Sequence, residues 1–288
     1  IRHPLVRKVV FTGSVATGRR VAAMASERVV PTTLELGGKS ANLVFADADI
    51  EKAAAGSVKA FTRNSGQVCS AGTRCIVDRS VHDELVERMA TAIADLRIGP
   101  SPDDDLGPII TRSQFDKVRD YQRIALEEGA RIAVEGGAPQ AGEGWFIPPT
   151  IYTGVFPSMR IATEEIFGPV LPVLGHDGMS EAARFVNERD RPLALYVYAK
   201  NKQTARRFLS RTISGGAAVN TPMLHLSVED LPFGGVGASG QGAYHGEYGF
   251  LTFTHERAVF ETPVWHPSRL VAPPYGKVFE FFKKLQTG

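Results

Sequence analysis

Along the chain, short apolar runs alternate with stretches whose apolar residues recur at helical spacing, and glycine or polar turns part the two. Val6 to Thr12 (VRKVVFT) is a β-rich run that ends at Gly13-Ser14, and the Ala-, Arg-, Met- and Glu-rich stretch from Ala16 to about Arg28 predicts a helix. TTLELGG and ANLVFADAD then read as strands parted by Gly37-Gly38. Strand, glycine turn, helix and strand in that order predict a βαβ unit on a parallel sheet. Ile50 to Thr62 is helical, with Asp47 or Asp49 as N-cap. TRCIVDRS follows as a strand, VHDELVERMATAIADLRIG as an amphipathic helix, and a further helix runs from about Ser113 to Glu128. ARIAVEGG and GWFIPPTIYTGV are strand-like. After Ile166 the order is PVLPVL strand, EAARFVNER helix, ALYVYA strand, QTARRFLSRT helix and GGAAVN strand. Beyond Leu231 comes a glycine-rich segment, LPFGGVGASGQGAYHGEYG, then one more strand-like run and a tail from about Pro263. In that tail Val278, Phe281, Phe282 and Leu285 fall at helical spacing among Lys277, Lys283 and Lys284. So short a segment suits packing on a neighbouring subunit or the chain's own core better than a helix lying on a membrane.

Composition narrows the class. The 288 residues are 43% hydrophobic and 22% charged, the balance of an ordinary globular protein. A net charge of +2 gives no reason to expect nucleic acid or an anionic membrane as partner. No apolar stretch approaches the roughly 18 residues of a membrane-spanning helix, and no signal peptide is visible at the start, IRHPLVRKVVF. Two cysteines, Cys69 and Cys75, suit a reducing compartment such as the cytoplasm. Their spacing does not make a zinc site, and no two histidines stand at metal-ligand spacing, so no metal is expected.

Two residues stand out as candidate chemistry. Cys69 lies in NSGQVCSAG, a small and polar loop where backbone N–H groups can favour a thiolate, whereas Cys75 lies inside the apolar run RCIV and reads as a buried hydrophobe. Taken alone, the composition leaves Cys69 evenly divided between a structural and a reactive role. Glu35 lies in LELGGK, and strand alternation turns it away from Leu34 and Leu36, so it need not be buried in apolar surroundings. An ordinary strand-end carboxylate faces solvent. At the carboxyl end of a parallel strand, where α/β sheets bind ligands, a partly desolvated Glu is instead a base with a raised pKa.

Three glycine patterns compete for a cofactor. GSVATG, from Gly13 to Gly18, lacks the Lys-Ser/Thr of a phosphate loop, but a strand, Gly-Ser and helix still make a helix N-terminus suited to a pyrophosphate. Gly235, Gly237 and Gly240 match the dinucleotide fingerprint letter by letter, yet QGAYHGEYG after them reads as no helix, so the match is false. Gly37-Gly38 reads as a strand-end turn. The acids of TEEIFGPV, Glu164 and Glu165, read as a solvated corner, and His245 as structural.

FTGS, LELGGKS, NSGQVCSAG, EEIFGPV and LPFGGVGASG, in that order and over nearly the whole chain, resemble the aldehyde dehydrogenase superfamily. Glu35 and Cys69 are 34 residues apart, the family's spacing of base and nucleophile. The stretch from PLALYVYAKN through SGQGAYHGEYGFLTFTHERAVF is similar to the class-three and coniferyl-aldehyde branch, while the cysteine loop looks more like the general NAD-dependent branch. The resemblance implies an α/β fold: part of a Rossmann-like cofactor domain over residues 1–36, an α/β catalytic domain with a parallel sheet over 37–230, and a return segment, bridging strand and tail over 231–288. It implies that Cys69 attacks an aldehyde to give a thiohemiacetal, that hydride passes to NAD or NADP, and that Glu35 activates water to hydrolyse the thioester. Gly13, Ser14 and Gly18 lie by the pyrophosphate, Leu36 joins the cofactor-binding set, Glu165 binds the nicotinamide ribose, and Phe167 packs beside the nicotinamide. A homo-oligomer, dimer or tetramer, is implied too. The family's front portion, with its Pro-Trp-Asn motif and Lys-Pro segment, has no counterpart in this sequence. Loss of one oxyanion donor alone costs roughly a hundredfold in rate, so the chain alone is expected to be inactive or nearly so. Thiol-dependent acyl transfer without redox chemistry, and a non-catalytic homologue, remain open as other readings.

Overall fold

The computed structural model describes residues 1–139, 143–264, 273 and 276–286. In chain order the elements are β1 (Val9–Gly13), α1 (Val15–Ser26), β2 (Thr32–Leu36), β3 (Ala41–Val44), α2 (Ile50–Thr62), β4 (Cys75–Asp78), α3 (His82–Ala94), α4 (Arg112–Glu127), β5 (Arg131–Glu135), β6 (Thr150–Thr153), α5 (Arg160–Thr163), β7 (Val170–His176), α6 (Met179–Asn187), β8 (Ala194–Tyr198), α7 (Lys202–Leu209), β9 (Gly216–Val219), β10 (Gly240–Gln241), α8 (Gly246–Thr252) and α9 (Gly276–Gln286). Residues 1–253 make one compact unit and residues 254–288 a second.

The strands form two sheets. The smaller runs β1-β2-β10 and the larger β5-β6-β7-β4-β3-β8-β9. β1 and β2 pair in parallel across α1, the βαβ unit that the glycine turn predicts. The larger sheet is parallel except where β5 joins β6 antiparallel. Its central strands are buried on both faces, as a sheet covered by helices on each side requires. Leu43, Ile76, Leu174 and Val197 point into one cluster with α4, α6 and α7 residues such as Tyr121, Phe185 and Phe208. Val44, Val77, Val173 and Tyr198 point the other way, onto Phe61 of α2 and Leu85 of α3. Strand periodicity alone thus assigns each side chain to one of two cores.

Helix starts follow side-chain chemistry. Ser14 Oγ accepts from Thr17 N (3.3 Å), Asp49 Oδ1 from Lys52 N (3.2 Å) and Thr111 Oγ1 from Gln114 N (3.2 Å). Each cap contributes about 1 kcal/mol.

Some expected elements differ. GWFIPPTIYTGV is a strand only over Thr150–Thr153, because Pro148 and Pro149 offer no ladder N–H. Upstream of them only the single bridge Ile109 to Trp145 forms. The run expected as a last strand is not one: its first residues belong to α8, and among the described residues no strand lies alongside 254–263. The fingerprint-like glycines enter a 3-10 turn and β10, as befits a false match, although QGAYHGEYG is not helix-free, since α8 begins at Gly246. α9 confirms the helical spacing of the tail and exposes Phe281, Phe282 and Leu285. Among the described residues no helix is long and apolar enough to cross a membrane, and no group of three or more His, Cys, Asp or Glu could hold a metal ion.

Candidate functional site

The carboxyl ends of β1 and β2 stand side by side, with Thr12 opposite Glu35 and Gly13 opposite Leu36. Ser14 caps α1 directly after β1. These strand ends open on a cavity of about 300 Å3 lined by Thr12, Gly13, Ser14, Glu35, Leu36, Gly37, Cys69, Gln114, Lys117, Glu165 and Phe167. Every residue given a catalytic or cofactor role from the sequence lies on its wall except Gly18. That glycine sits inside α1, where a Cβ would come within 2.4 Å of Leu36 Cδ2, so its role is to let helix and strand close together.

Of the two readings of Glu35, the structure has the desolvated strand-end carboxyl and not the solvent-facing one. It is 5% exposed, and Leu34 and Leu36 on the opposite face are 4% exposed each, because both faces of β2 are covered. Neither carboxylate oxygen has a hydrogen-bond partner among the described residues. Burial without compensating donors pushes its pKa up to about 7. A carboxyl group in that range exchanges protons near neutrality, as a general base must.

The Cys69 loop is fixed from several sides. It follows a 3-10 turn, Arg63–Gly66, in which Asn64 and Ser65 hold left-handed backbone at φ 50° and 54°. Ser65 Oγ donates to Gly107 O (2.7 Å), Gln67 Oε1 accepts from Ile110 N (2.9 Å), Tyr196 Oη donates to Ser70 O (2.6 Å) and Asn42 Nδ2 donates to Gly72 O (2.9 Å). A Cβ on Gly66 would stand 2.3 Å from the Gly168 carbonyl carbon, so only glycine lets this loop pass the Glu165–Gly168 segment. Cys69 is half-buried and Cys75 fully buried. The thiolate that nearby N–H groups were expected to favour is outweighed: burial, and then the charge of Glu35, raise the Cys69 thiol above its ordinary value, although the N–H groups of Ser70 and Cys69 pull it down. Burial and the Glu35 charge thus favour the protonated thiol, which shares a cavity wall with the Glu35 carboxyl.

Of the expected solvated corner only Glu164 keeps to the surface, its side chain 42% exposed, whereas Glu165 does not. Glu164 is held by Arg160 Nε (2.9 Å) and Nη2 (3.0 Å) and by the Tyr121 hydroxyl. Glu165 turns inward, where Oε1 accepts from Gly38 N (3.2 Å) and burial raises its pKa. Gly37 makes that approach feasible, since a Cβ there would lie 2.1 Å from Glu165 Oε2. Phe167 is left-handed at φ 60°. Gln114 Nε2 donates to Ile166 O (2.8 Å) and Phe167 O (2.9 Å), and Lys117 Nζ donates to Glu165 O (3.0 Å). These two α4 residues were not legible as site residues. Their spacing of three marks one helix face, but nothing in α4 says that this face meets a loop about 50 residues further on.

Residues 1–259 match the Aldehyde dehydrogenase family. A protein of Pseudomonas aeruginosa named "Probable coniferyl aldehyde dehydrogenase" is 37% identical over 271 residues, 93% of this chain and 56% of the relative. The mouse "Aldehyde dehydrogenase, dimeric NADP-preferring" is 38% identical, over 87% of this chain and 54% of its own length. Among solved structures, an NAD-dependent aldehyde dehydrogenase from Sinorhizobium meliloti superposes with a TM-score of 0.84 at 33% identity, covering 92% of this chain and 54% of that one. The chain spans about half the length of the relatives it matches.

Proposed function

From the premise that the chain belongs to the aldehyde dehydrogenase family, on the class-three and coniferyl-aldehyde side of it, we propose that it carries the nucleophile and the base of an NAD(P)+-dependent oxidation of an aldehyde to a carboxylic acid. The observation that carries the reading is one cavity wall shared by a protonated Cys69 and a partner-free Glu35 with a pKa of about 7. Ionised Glu35 takes the thiol proton, and the Cys69 sulfur adds to the aldehyde carbon, forming a thiohemiacetal whose oxyanion is met by the Cys69 backbone N–H. A bound dinucleotide, which Gly13, Ser14, Glu165 and Phe167 would hold, would supply the hydride acceptor that turns the thiohemiacetal into a thioester on Cys69. Glu35, having released that first proton to solvent, then draws a proton from water, the hydroxide adds to the thioester carbon, the C–S bond breaks, and Glu35 returns its proton to the departing thiolate as the acid leaves.

The wall fits such a cofactor: a capped helix N-terminus at Ser14 for phosphate, an inward carboxylate at Glu165 for ribose hydroxyls, and an aromatic ring at Phe167. Gly13, Ser14, Leu36, Glu165 and Phe167 are assigned to cofactor binding, with Gly18 contributing through the close packing of α1 on β2. Residues 1–36 are read as the C-terminal part of the dinucleotide-binding domain, 37–230 as the catalytic domain and 231–288 as the return segment, bridging strand and tail. The pairing of β10 with β2 supports a returning segment. A cytoplasmic homo-oligomer is the assembly proposed; the mouse relative's name calls it dimeric.

The test is NAD(P)H formation with aliphatic and aromatic aldehydes, beside cofactor-free hydrolysis of p-nitrophenyl acetate, for the chain and for Cys69→Ala. Loss of signal in Cys69→Ala supports the reading. Equal, non-zero signal in both proteins overturns it, silence from both marks the site of this chain by itself as incomplete, and ester hydrolysis through Cys69 with no NAD(P)H from any aldehyde favours acyl transfer without redox chemistry.

A further inference from the structure

Asn42 and Tyr196 are cross-strand partners on β3 and β8, and both side chains reach the segment that follows the nucleophile. Asn42 Nδ2 donates to Gly72 O (2.9 Å), and Tyr196 Oη donates to Ser70 O (2.6 Å), one residue beyond Cys69. The second contact is the more confined. Tyr196 and Ser70 are both 0% exposed, so water cannot stand in for the phenol. The hydroxyl is also held from behind. The Met223 N–H lies against its oxygen, and the His225 ring packs 6.0 Å from the tyrosine ring. Met223 is itself left-handed, at φ 59°, in a loop that opens with Asn220 at φ 57°. The Asn220 amide ties that loop to β8, since Oδ1 accepts from Ala199 N and Nδ2 donates to Ala199 O, each at 3.0 Å. A phenol that accepts one bond while donating another has its O–H aimed in one direction.

Holding the Ser70 carbonyl restricts the Ser70 backbone. The N–H of that residue, with the N–H of Cys69, lowers the Cys69 thiol against the opposing effects of burial and of Glu35. The other groups facing the sulfur are Glu165, whose charge also raises it, Lys117 on the cavity wall, and Tyr196. Only the N–H donors belong to the loop itself, so only they move with its backbone. Burial holds the Tyr196 phenol well above the ordinary tyrosine value, which keeps it a donor throughout the range in which a thiol ionises.

We propose that Tyr196 is a positioning residue for the nucleophile: its hydroxyl holds the Ser70 carbonyl and thereby keeps the Ser70 N–H aimed at the Cys69 sulfur. The role rests on Cys69 being the reactive thiol proposed above. It needs no bound cofactor, because every group in it belongs to β8, the nucleophile loop and the Asn220–Met223 loop.

The test is the rate of iodoacetamide alkylation at Cys69 in the 288-residue chain, followed from about pH 6 to about pH 10, where the midpoint reads the ionisation of the thiol. In Tyr196→Phe the midpoint is expected to rise, and the rate below it to fall roughly tenfold, about the weight of one hydrogen bond. A purely structural tyrosine would lower the melting temperature and leave the midpoint where it was. Tyr198→Phe is the control. Tyr198 faces the same core from the same strand and is as deeply buried, but its hydroxyl has no partner among the described residues, so its midpoint should match wild type. Should Tyr196→Phe not fold, Tyr196→3-fluorotyrosine keeps the ring and strengthens the donor, and its midpoint should lie at or below the wild-type value. A midpoint unmoved in Tyr196→Phe, moved equally in Tyr198→Phe, or raised in Tyr196→3-fluorotyrosine would each overturn the role and leave the nucleophile in place. A wild-type Cys69 that resists alkylation over the whole range would instead overturn the nucleophile, and the positioning role with it.

Discussion

Glu35 and Gly240 are cross-strand partners, 205 positions apart in the sequence, in the antiparallel pairing of β2 with β10. Gly240 holds φ 147°, and a Cβ there would stand 2.2 Å from Leu34 O, a backbone atom that cannot step aside. The returning chain thus reaches the strand of the base only because it lacks a side chain at this point. Gly240→Ala is expected to lose at least ~3 kcal/mol through backbone strain and the clash. At roughly 2–4 °C per kcal/mol for a domain of this size, the melting temperature falls by about 6–12 °C. An unchanged melting curve would show that β10 does not hold β2.

Glu35→Gln separates the base from its burial. Because the folded state raises the Glu35 pKa from 4.5 to about 7, the native protein holds this proton more tightly than the unfolded chain does. Between those values stability therefore falls as pH rises, and above about 7 the full penalty is present. Glu35→Gln should be more stable than wild type at pH 8, and the difference should close below pH 4.5. In thermal melts across that range, a gap that widened toward low pH would contradict the burial argument. If the activity is as proposed, the wild-type rate rises through pH 7, while the variant is at least a hundredfold slower, in forming the thioester as well as in hydrolysing it.

The two cysteines should differ sharply toward iodoacetamide. Burial pushes Cys75 up to about 12 and leaves it 0% exposed, whereas Cys69 is half-buried on a cavity wall. Native protein is expected to be alkylated at Cys69 alone, at a rate that climbs with pH, and at both residues once unfolded. Since the Glu35 charge raises the Cys69 thiol, alkylation above pH 7 should be faster in Glu35→Gln. Mass spectrometry of the modified peptides reads both outcomes.

Gln114→Ala removes two donors from the Ile166 and Phe167 carbonyls. A non-glycine residue at φ 60° persists only while its surroundings hold it there, against about 1–3 kcal/mol of strain. Released, Phe167 should relax, and the KM for dinucleotide should rise roughly tenfold, which corresponds to about 1.4 kcal/mol. Equal KM values for variant and wild type would mean that the turn holds itself.

Local rules made much of this molecule readable. The alternation of Val170–His176 and Ala194–Tyr198, and the caps at Ser14, Asp49 and Thr111, follow from neighbours within a few residues. Cys69 was marked by its glycine-bearing loop and Glu35 by its strand-end position, where partial desolvation was expected but burial as complete as this was not. Coverage of β2 comes from partners remote in sequence, Gly240 among them, and no local pattern encodes it. The same holds for Gln114 and Lys117, whose targets lie on a loop beyond two strands. The mistaken last strand arose differently: Phe250 and Leu251 suit either a strand or a helix, and hydrogen-bonding partners, not propensity, decided between them.

Glu35 ends a strand of the smaller sheet, while Cys69 is anchored to the larger one through Asn42 and Tyr196. The bond from the Gly38 N–H to Glu165 lies at the junction between them. Base and nucleophile are in this sense two jaws of one clamp, and their gap is set where the sheets join, not within either loop. A clamp of this build loses its grip when its pivot loosens, even while both jaws stay intact. Modest denaturant should abolish Cys69 reactivity toward substrates at concentrations that leave both sheets folded.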